Sequence, residues 1–152
     1  MPTAWRIVKR AHLHLAFSRE GAKRTGGRWN SPGLAMIYTS EHKSLAVLEV
    51  LVHLDLLDMA HYLTFQIEFD RSLVETLDHA DLPRGWRAEM PAQSARRIGD
   101  AWIQQARSAI LAVPSAIVPE EINLLLNPAH PAFKRIRVGK PTPFTFDPRW
   151  IA

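Results

Sequence analysis

Residues 26–49 read GGRWNSPGLAMIYTSEHKSLAVLE, a stretch that holds an arginine on a glycine turn, an aromatic hydroxyl and a carboxylate embedded in apolar sequence. Gly26-Gly27 permits a tight turn, so the Arg28 guanidinium can be aimed inward instead of into solvent. Asn30-Ser31-Pro32-Gly33 closes a second turn, proline fixing one torsion and glycine freeing another. The apolar run Leu34 to Tyr38 has strand length. Thr39-Ser40-Glu41 then reads as a capping-type sequence that opens a helix over roughly residues 42–58. Glu49 falls inside that helix, with Leu45, Ala46, Val47, Leu48, Val50, Leu51 and Val52 around it. A carboxylate in such surroundings is costly unless it is paired, hydrogen-bonded or open to a cleft. Arg28 is the nearest partner in sequence, so an ion pair tying loop to helix and a functional site are both consistent with this stretch.

Outward from it, Ala4 to Lys9 alternates as a first strand, Trp5 and Ile7 on one face, Arg6 and Val8 on the other. His12 and His14 share a face if that strand continues, but no third ligand follows at fixed spacing and HExxH is absent, so ordinary histidines are the better reading. Residues 62–69 alternate strictly and form the clearest strand, its Leu63, Phe65, Ile67 and Phe69 face expected to pack on the Glu49 helix. Residues 71–92, broken by Pro83, Gly85 and Pro91, give a short strand and an irregular connection anchored by Trp86. Gln93 to Arg107 reads as an amphipathic helix, Ile98, Trp102 and Ala106 inward, Arg96, Arg97 and Asp100 outward. A buried strand over 109–113 ends at Pro114 and delivers Ser115 to its tip; a short element follows Glu121; Asn127-Pro128-Ala129-His130-Pro131 is a rigid turn; residues 133–138 form another strand; and the proline- and aromatic-rich tail from Pro141 to Trp150 docks on the body. No regular strand-helix alternation occurs, which disfavours a doubly wound parallel sheet. The expected fold class is α/β (α+β): one domain over 1–152, with mixed, mainly antiparallel strands around a cleft.

Composition narrows the function classes. With 152 residues, 47% of them hydrophobic, the chain can bury a core that needs no staples. It has no cysteine, which excludes disulfides, thiolate metal sites and cysteine nucleophiles. No apolar signal core or membrane-length run is present, so a cytoplasmic location without membrane association is expected. The net charge of +4 is uneven: residues 1–43 carry eight Lys or Arg against two acids, and 44–81 one against eight. Basic surface beside a glycine-rich turn suits phosphates, whether of a nucleotide, a nucleic acid or an acidic protein.

Arg28 in GGRWN, Tyr38 in IYTS, Glu49 in SLAVLEVLVH and Ser115 in VPSAIVPEEINLLLNPAHPAF together resemble the RES domain family, and the opening WRI at residues 5–7 and the NPxHP turn at 127–131 fall in the same order. The resemblance implies a fold similar to the ADP-ribosyltransferase toxin fold. It also implies the toxin component of a RES/Xre toxin-antitoxin system that degrades NAD as glycohydrolase or phosphorylase; some relatives ADP-ribosylate a protein instead. Catalytic roles would fall to Glu49, Arg28 and Ser115, and NAD contacts to Arg28, Tyr38, Ser115 and Asn127, with no metal. The implied partners are an Xre-type helix-turn-helix antitoxin covering the active site, a second copy of the chain within that complex, and nucleic acid only through the antitoxin.

The chemistry of those residue types agrees. Arg28 can hold a pyrophosphate through a bidentate fork, and the Tyr38 ring offers a flat face for nicotinamide. Nicotinamide departs as a neutral molecule, so the reaction needs an oxocarbenium-stabilising carboxylate, Glu49, more than a general acid. Ser115 would position substrate, since no base adjoins it in sequence. Two rivals are a basic RNA-binding or RNA-cleaving toxin using His12, His14 or His130, marked by steep salt dependence, and a non-catalytic module that leaves NAD untouched.

Overall fold

Strand β1 (Thr3–Lys9) organises the architecture by pairing unequally on its two sides. With β3 (Tyr62–Glu68) it is antiparallel over its full length, from Thr3 opposite Glu68 to Lys9 opposite Tyr62. With β2 (Ile37–Ser40) it forms a single paired position, Trp5 opposite Ser40. Beyond that pair the two strands part, and the sheet opens. The computed structural model describes residues 1–24, 26–54, 61–90 and 92–151. Its sheet runs in the order β4 (Val74–Thr76), β5 (Ile110–Pro114), β6 (Ile122–Leu126), β2, β1, β3, β7 (Arg137–Val138), with β8 (Thr142–Phe144) also on β3. Only β4 and β5 are parallel among these pairs, so the mixed, mainly antiparallel sheet expected from the sequence is the one observed.

The register fixes what lies on each face. Tyr38, Leu125 and Leu111 align across three strands on one face, as do Ser40, Asn123 and Val113. Two helices cover that face at separate places. Helix α2 (Lys43–Leu51) sets Ala46, Val47 and Val50 against Trp5, Ile7 and Tyr62, and Phe146 and Phe144 of the docked tail close that cluster. Helix α3 (Gln93–Gln105) buries Trp102 against Trp29, Leu111, Val113 and Leu125. The opposite face, with Ile37, Ile67, Ile110, Leu124 and Leu126, is sealed by Phe17, Phe133 and Ala22 of the short helix α1 (Arg19–Lys23). The centre of the first face, between α2 and α3, stays open above the split in the sheet.

Several local expectations are corrected. Thr39 and Ser40 do not cap a helix; they lie in β2, where Thr39 Oγ1 donates to the Leu124 carbonyl at 2.7 Å and Ser40 Oγ to Asn123 Oδ1 at 2.7 Å. Helix α2 starts after His42, which makes no side-chain cap, and its last turn closes at Val52; of the span expected to be helical, residues 55–58 lie outside the described residues. The β3 face that meets α2 is that of Tyr62, whereas Leu63 and Phe65 pack below the sheet with Val8, Ala16 and Phe17. His12 and His14 sit in an exposed 3-10 turn, Arg10–Leu15, not on a continued strand. The first half of the strand expected over 133–138 is likewise a 3-10 turn, Pro131–Arg135, and only the two residues of β7 are strand.

Candidate active site

A cleft of about 880 Å3 occupies the opening, a volume within the range that holds small ligands. One wall is α2 with the two residues beyond it, contributing Glu49, Val50, Val52 and His53; the floor holds Arg6, Tyr38, Ser40 and Asn123; the far wall comprises Gly26 to Arg28, Arg96 of α3, and Arg87 and Glu89. Three of the residues singled out in the sequence, Arg28, Tyr38 and Glu49, therefore meet in one cavity.

Glu49 is held by the sheet and not by Arg28. Asn123 Nδ2 donates to Glu49 Oε2 at 2.8 Å, and Asn123 is itself fixed by the Ser40 hydroxyl at 2.7 Å. Burial pushes the Glu49 carboxyl above its ordinary value, while the Asn123 bond, Arg28 and His53 pull it back. The result is a partly desolvated carboxylate in a fixed orientation. Arg28 makes no ion pair with it; Arg28 Nη1 donates to the carbonyls of Trp86 at 2.7 Å and Ala88 at 2.8 Å, which straps the 83–90 segment to the cleft.

Tyr38 anchors the Arg28 loop. Its hydroxyl donates to Asn30 Oδ1 at 2.5 Å and accepts the Trp29 amide at 3.1 Å; Asn30 Oδ1 also accepts the Gly27 amide at 3.0 Å. A Cβ at Gly27 would run into that hydroxyl, so glycine is required there by close approach. Burial drives the phenol far above its ordinary range, so it stays neutral and serves as a hydrogen-bonding post.

Arg6, read from the sequence only as a strand residue, lies in the split beneath the floor. Its Nε donates to the Ala16 carbonyl and its Nη1 to the Tyr38 carbonyl, both at 2.9 Å, and its guanidinium lies 5.7 Å from the Phe17 ring centre. Burial lowers it to about 10, so it remains a cation at neutral pH, and no carboxylate among the described residues pairs with it. The available signal was alternation: Arg6 shares its face with the inward Ala4 and Val8.

Helix α3 was read with Arg96 and Asp100 outward, and only Arg97 keeps that place. Asp100 accepts the Ser31 amide at 2.8 Å and the Ser31 hydroxyl at 2.6 Å, and Arg96 Nε donates to the Gly27 carbonyl at 3.1 Å. Between them, Gly99 lets the helix lie directly on the Trp29 carbonyl, where any Cβ would collide. Positions 96, 99 and 100 form one helical face, a spacing visible in the sequence.

Ser115 and Asn127 lie outside the cleft lining. The buried Ser115 Oγ accepts the amides of Ile117 and Val118, each at 3.1 Å, and so folds the turn whose Ala116 and Ile117 line the cleft. Asn127 follows β6 at the end remote from Asn123, four residues and about 13 Å along the strand, with its Oδ1 accepting the Ala129 amide at 3.0 Å. His130 accepts the Ala132 amide through Nδ1. Among the described residues no group of three or more His, Cys, Asp or Glu side chains could hold a metal ion, and no helix is long and apolar enough to cross a membrane.

Comparison with known proteins identifies the family and the fold. Residues 3–147 match the RES domain family. The chain is 43% identical over 154 residues to the Prs ADP-ribosylating toxin of Sphingobium sp. (strain YBL2), covering 97% of this chain and 95% of that protein. It is 41% identical over 147 residues to Toxin Res of Yersinia enterocolitica, covering 95% and 97%. The fold is similar to a chain in the crystal structure of the M. tuberculosis MbcT-MbcA toxin-antitoxin complex, with a TM-score of 0.75 over 94% of this chain and 84% of that one at 21% identity.

Proposed function

The chain belongs to the RES domain family, and from that premise we propose that it is a toxin enzyme that breaks the bond between nicotinamide and ribose in NAD. One observation carries the reading: a single desolvated, oriented carboxylate, Glu49, shares a cleft with Arg6 and Arg28, neither of which is neutralised by an acid among the described residues. Guanidinia that line a cleft without counter-ions favour an anionic ligand, and a dinucleotide brings a diphosphate. In the step proposed, the ribose C1′–N bond breaks and its electron pair leaves with neutral nicotinamide. Glu49 stabilises the positive charge left on the ribose, and its fixed carboxylate also orients a ribose hydroxyl or the incoming acceptor. Tyr38 keeps the Arg28 loop in register. Ser115 contributes through the 115–118 turn.

The acceptor is water or phosphate in this reading. Transfer to a protein is the second reading, favoured by the Sphingobium relative, an ADP-ribosylating toxin, and by the exposed Arg87 and Glu89 at the rim. An antitoxin, in this reading of the Xre type, would inhibit by filling the cleft; the toxin-antitoxin complex that holds the structural neighbour supports an antitoxin partner. Incubating purified protein with NAD, alone and with cell extract, separates these readings. Equimolar nicotinamide and ADP-ribose indicate hydrolysis, ADP-ribosyl phosphate indicates phosphorolysis, and label in a protein band indicates transfer. An intact NAD pool in both incubations would overturn the proposal, and RNA cleavage in its place would favour the nuclease class.

A further inference from the structure

Arg96 stands on the cleft wall across from Glu49. Its ordinary helical partner would be Asp100, one turn further on. Both Asp100 oxygens are engaged elsewhere, however, one by the Ser31 amide and the other by the Ser31 hydroxyl. Arg96 spends Nε on the Gly27 carbonyl and forms no ion pair among the described residues, which leaves its charge and its remaining donors for the cleft it lines. Arg28 belongs to the next residue of the same loop and spends Nη1 on the carbonyls of Trp86 and Ala88. Each guanidinium is thus held by backbone carbonyls, which orient it without neutralising it, and the two flank one short loop.

We propose that Arg96 and Arg28 together form the diphosphate seat of the cleft, with Arg96 as the second phosphate-holding residue. This rests on the NAD reading and deepens it by giving the ligand a direction: the diphosphate lies against α3 and the nicotinamide ribose lies against Glu49 and Asn123. Two tethered forks match two adjacent phosphate groups, each able to accept charge-assisted bonds. The loop anchoring by Tyr38, Asn30 and Asp100 holds both cations in place before ligand arrives.

The test compares wild type, Arg96→Ala, Arg96→Lys and Arg96→Gln by calorimetric titration with ADP, ADP-ribose and nicotinamide, alongside NAD turnover and thermal melting. Arg96→Ala is expected to weaken ADP and ADP-ribose about tenfold and to raise the KM for NAD similarly. The kcat and nicotinamide affinity should stay within about twofold. Lysine should restore part of the ADP affinity by charge. Glutamine, which can still donate to the Gly27 carbonyl, should not. Rescue by glutamine, or equal loss of nicotinamide and ADP binding, would reduce Arg96 to a loop tether and overturn the proposal; so would unchanged ADP affinity in Arg96→Ala. A wild-type protein that binds neither ADP nor ADP-ribose and spares NAD would instead bring down the NAD reading itself.

Discussion

Glu49 costs stability at the place where the proposed reaction needs a carboxylate. Its carboxyl is raised above the ordinary 4.5 because burial outweighs the Asn123 bond and the charges of Arg28 and His53. The folded protein therefore binds that proton more tightly than the unfolded chain does. Stability from this group is fully present below the unfolded value and is lost as pH rises through the folded one. Glu49→Gln should accordingly melt higher than wild type at pH 7, with the gain vanishing below about pH 4. NAD turnover should fall by about 10²- to 10³-fold. Wild-type turnover in that variant would remove Glu49 from the chemistry. Tyr38→Phe makes the opposite kind of change: the Trp29 amide and Asn30 Oδ1 lose a partner in a buried setting, so stability should drop by about 1–3 kcal/mol in urea titration. Arg28, Tyr38 and Glu49 were legible because each breaks its local sequence context. Asn123 was not, since an asparagine inside INLLL gains its meaning only from the strand opposite, where Ser40 and then Glu49 wait for it.

At the level of elements, the same hydroxyl can serve a cap or a sheet, and sequence proximity does not choose. Thr39-Ser40 has the composition of a helix start, yet pairing with β6 recruits both side chains and pushes the helix start back to Lys43. The amphipathic reading of α3 located its buried Trp102 correctly because burial on a large flat face follows periodicity. It failed for Arg96 and Asp100 because their shared spacing with Gly99 shows one face but not that an irregular loop lies against it. The helix ends at Ala106 with φ of 50°, a left-handed conformation that a Cβ disfavours. Ala106→Gly should relieve this and stabilise the protein by about 0.5–1 kcal/mol, raising Tm by about 1–4 °C. The site does not contact this position, so NAD turnover should be unchanged. A lower Tm would mean that the end of α3 relaxes freely around alanine.

Across the whole molecule the cleft is a product of topology. The sheet parts because β1 meets β2 at one position, and α2 and α3 cover the same face without closing over its middle. Strand existence and class were readable from alternation and from the absence of strand-helix repeats; a gap between two strands is a matter of register between distant segments, which the sequence does not display. The cleft's charge then sets how a protein inhibitor should behave. Arg6, Arg28 and Arg96 line it without acidic partners among the described residues, so an occupying segment should be acidic or carboxylate-terminated and should exclude NAD. The charges that follow the lining residues Gly21 and Ala22, here the rim charges, differ from these in kind. Lys23 lies 3.8 Å from Glu20 in an exposed pair, and Arg24 is exposed, so both act through a screened field on encounter. Reversal of Lys23 and Arg24 to glutamate should therefore slow association with an Xre-type antitoxin and flatten its salt dependence, with dissociation little changed. Arg28→Ala, inside the cleft, should mainly speed dissociation, because the loss falls on the docked state. Stopped-flow association over a salt series, with and without saturating NAD, reads both terms. An on-rate indifferent to salt, to the rim substitutions and to NAD would mean that the inhibitor binds away from the cleft and acts without filling it.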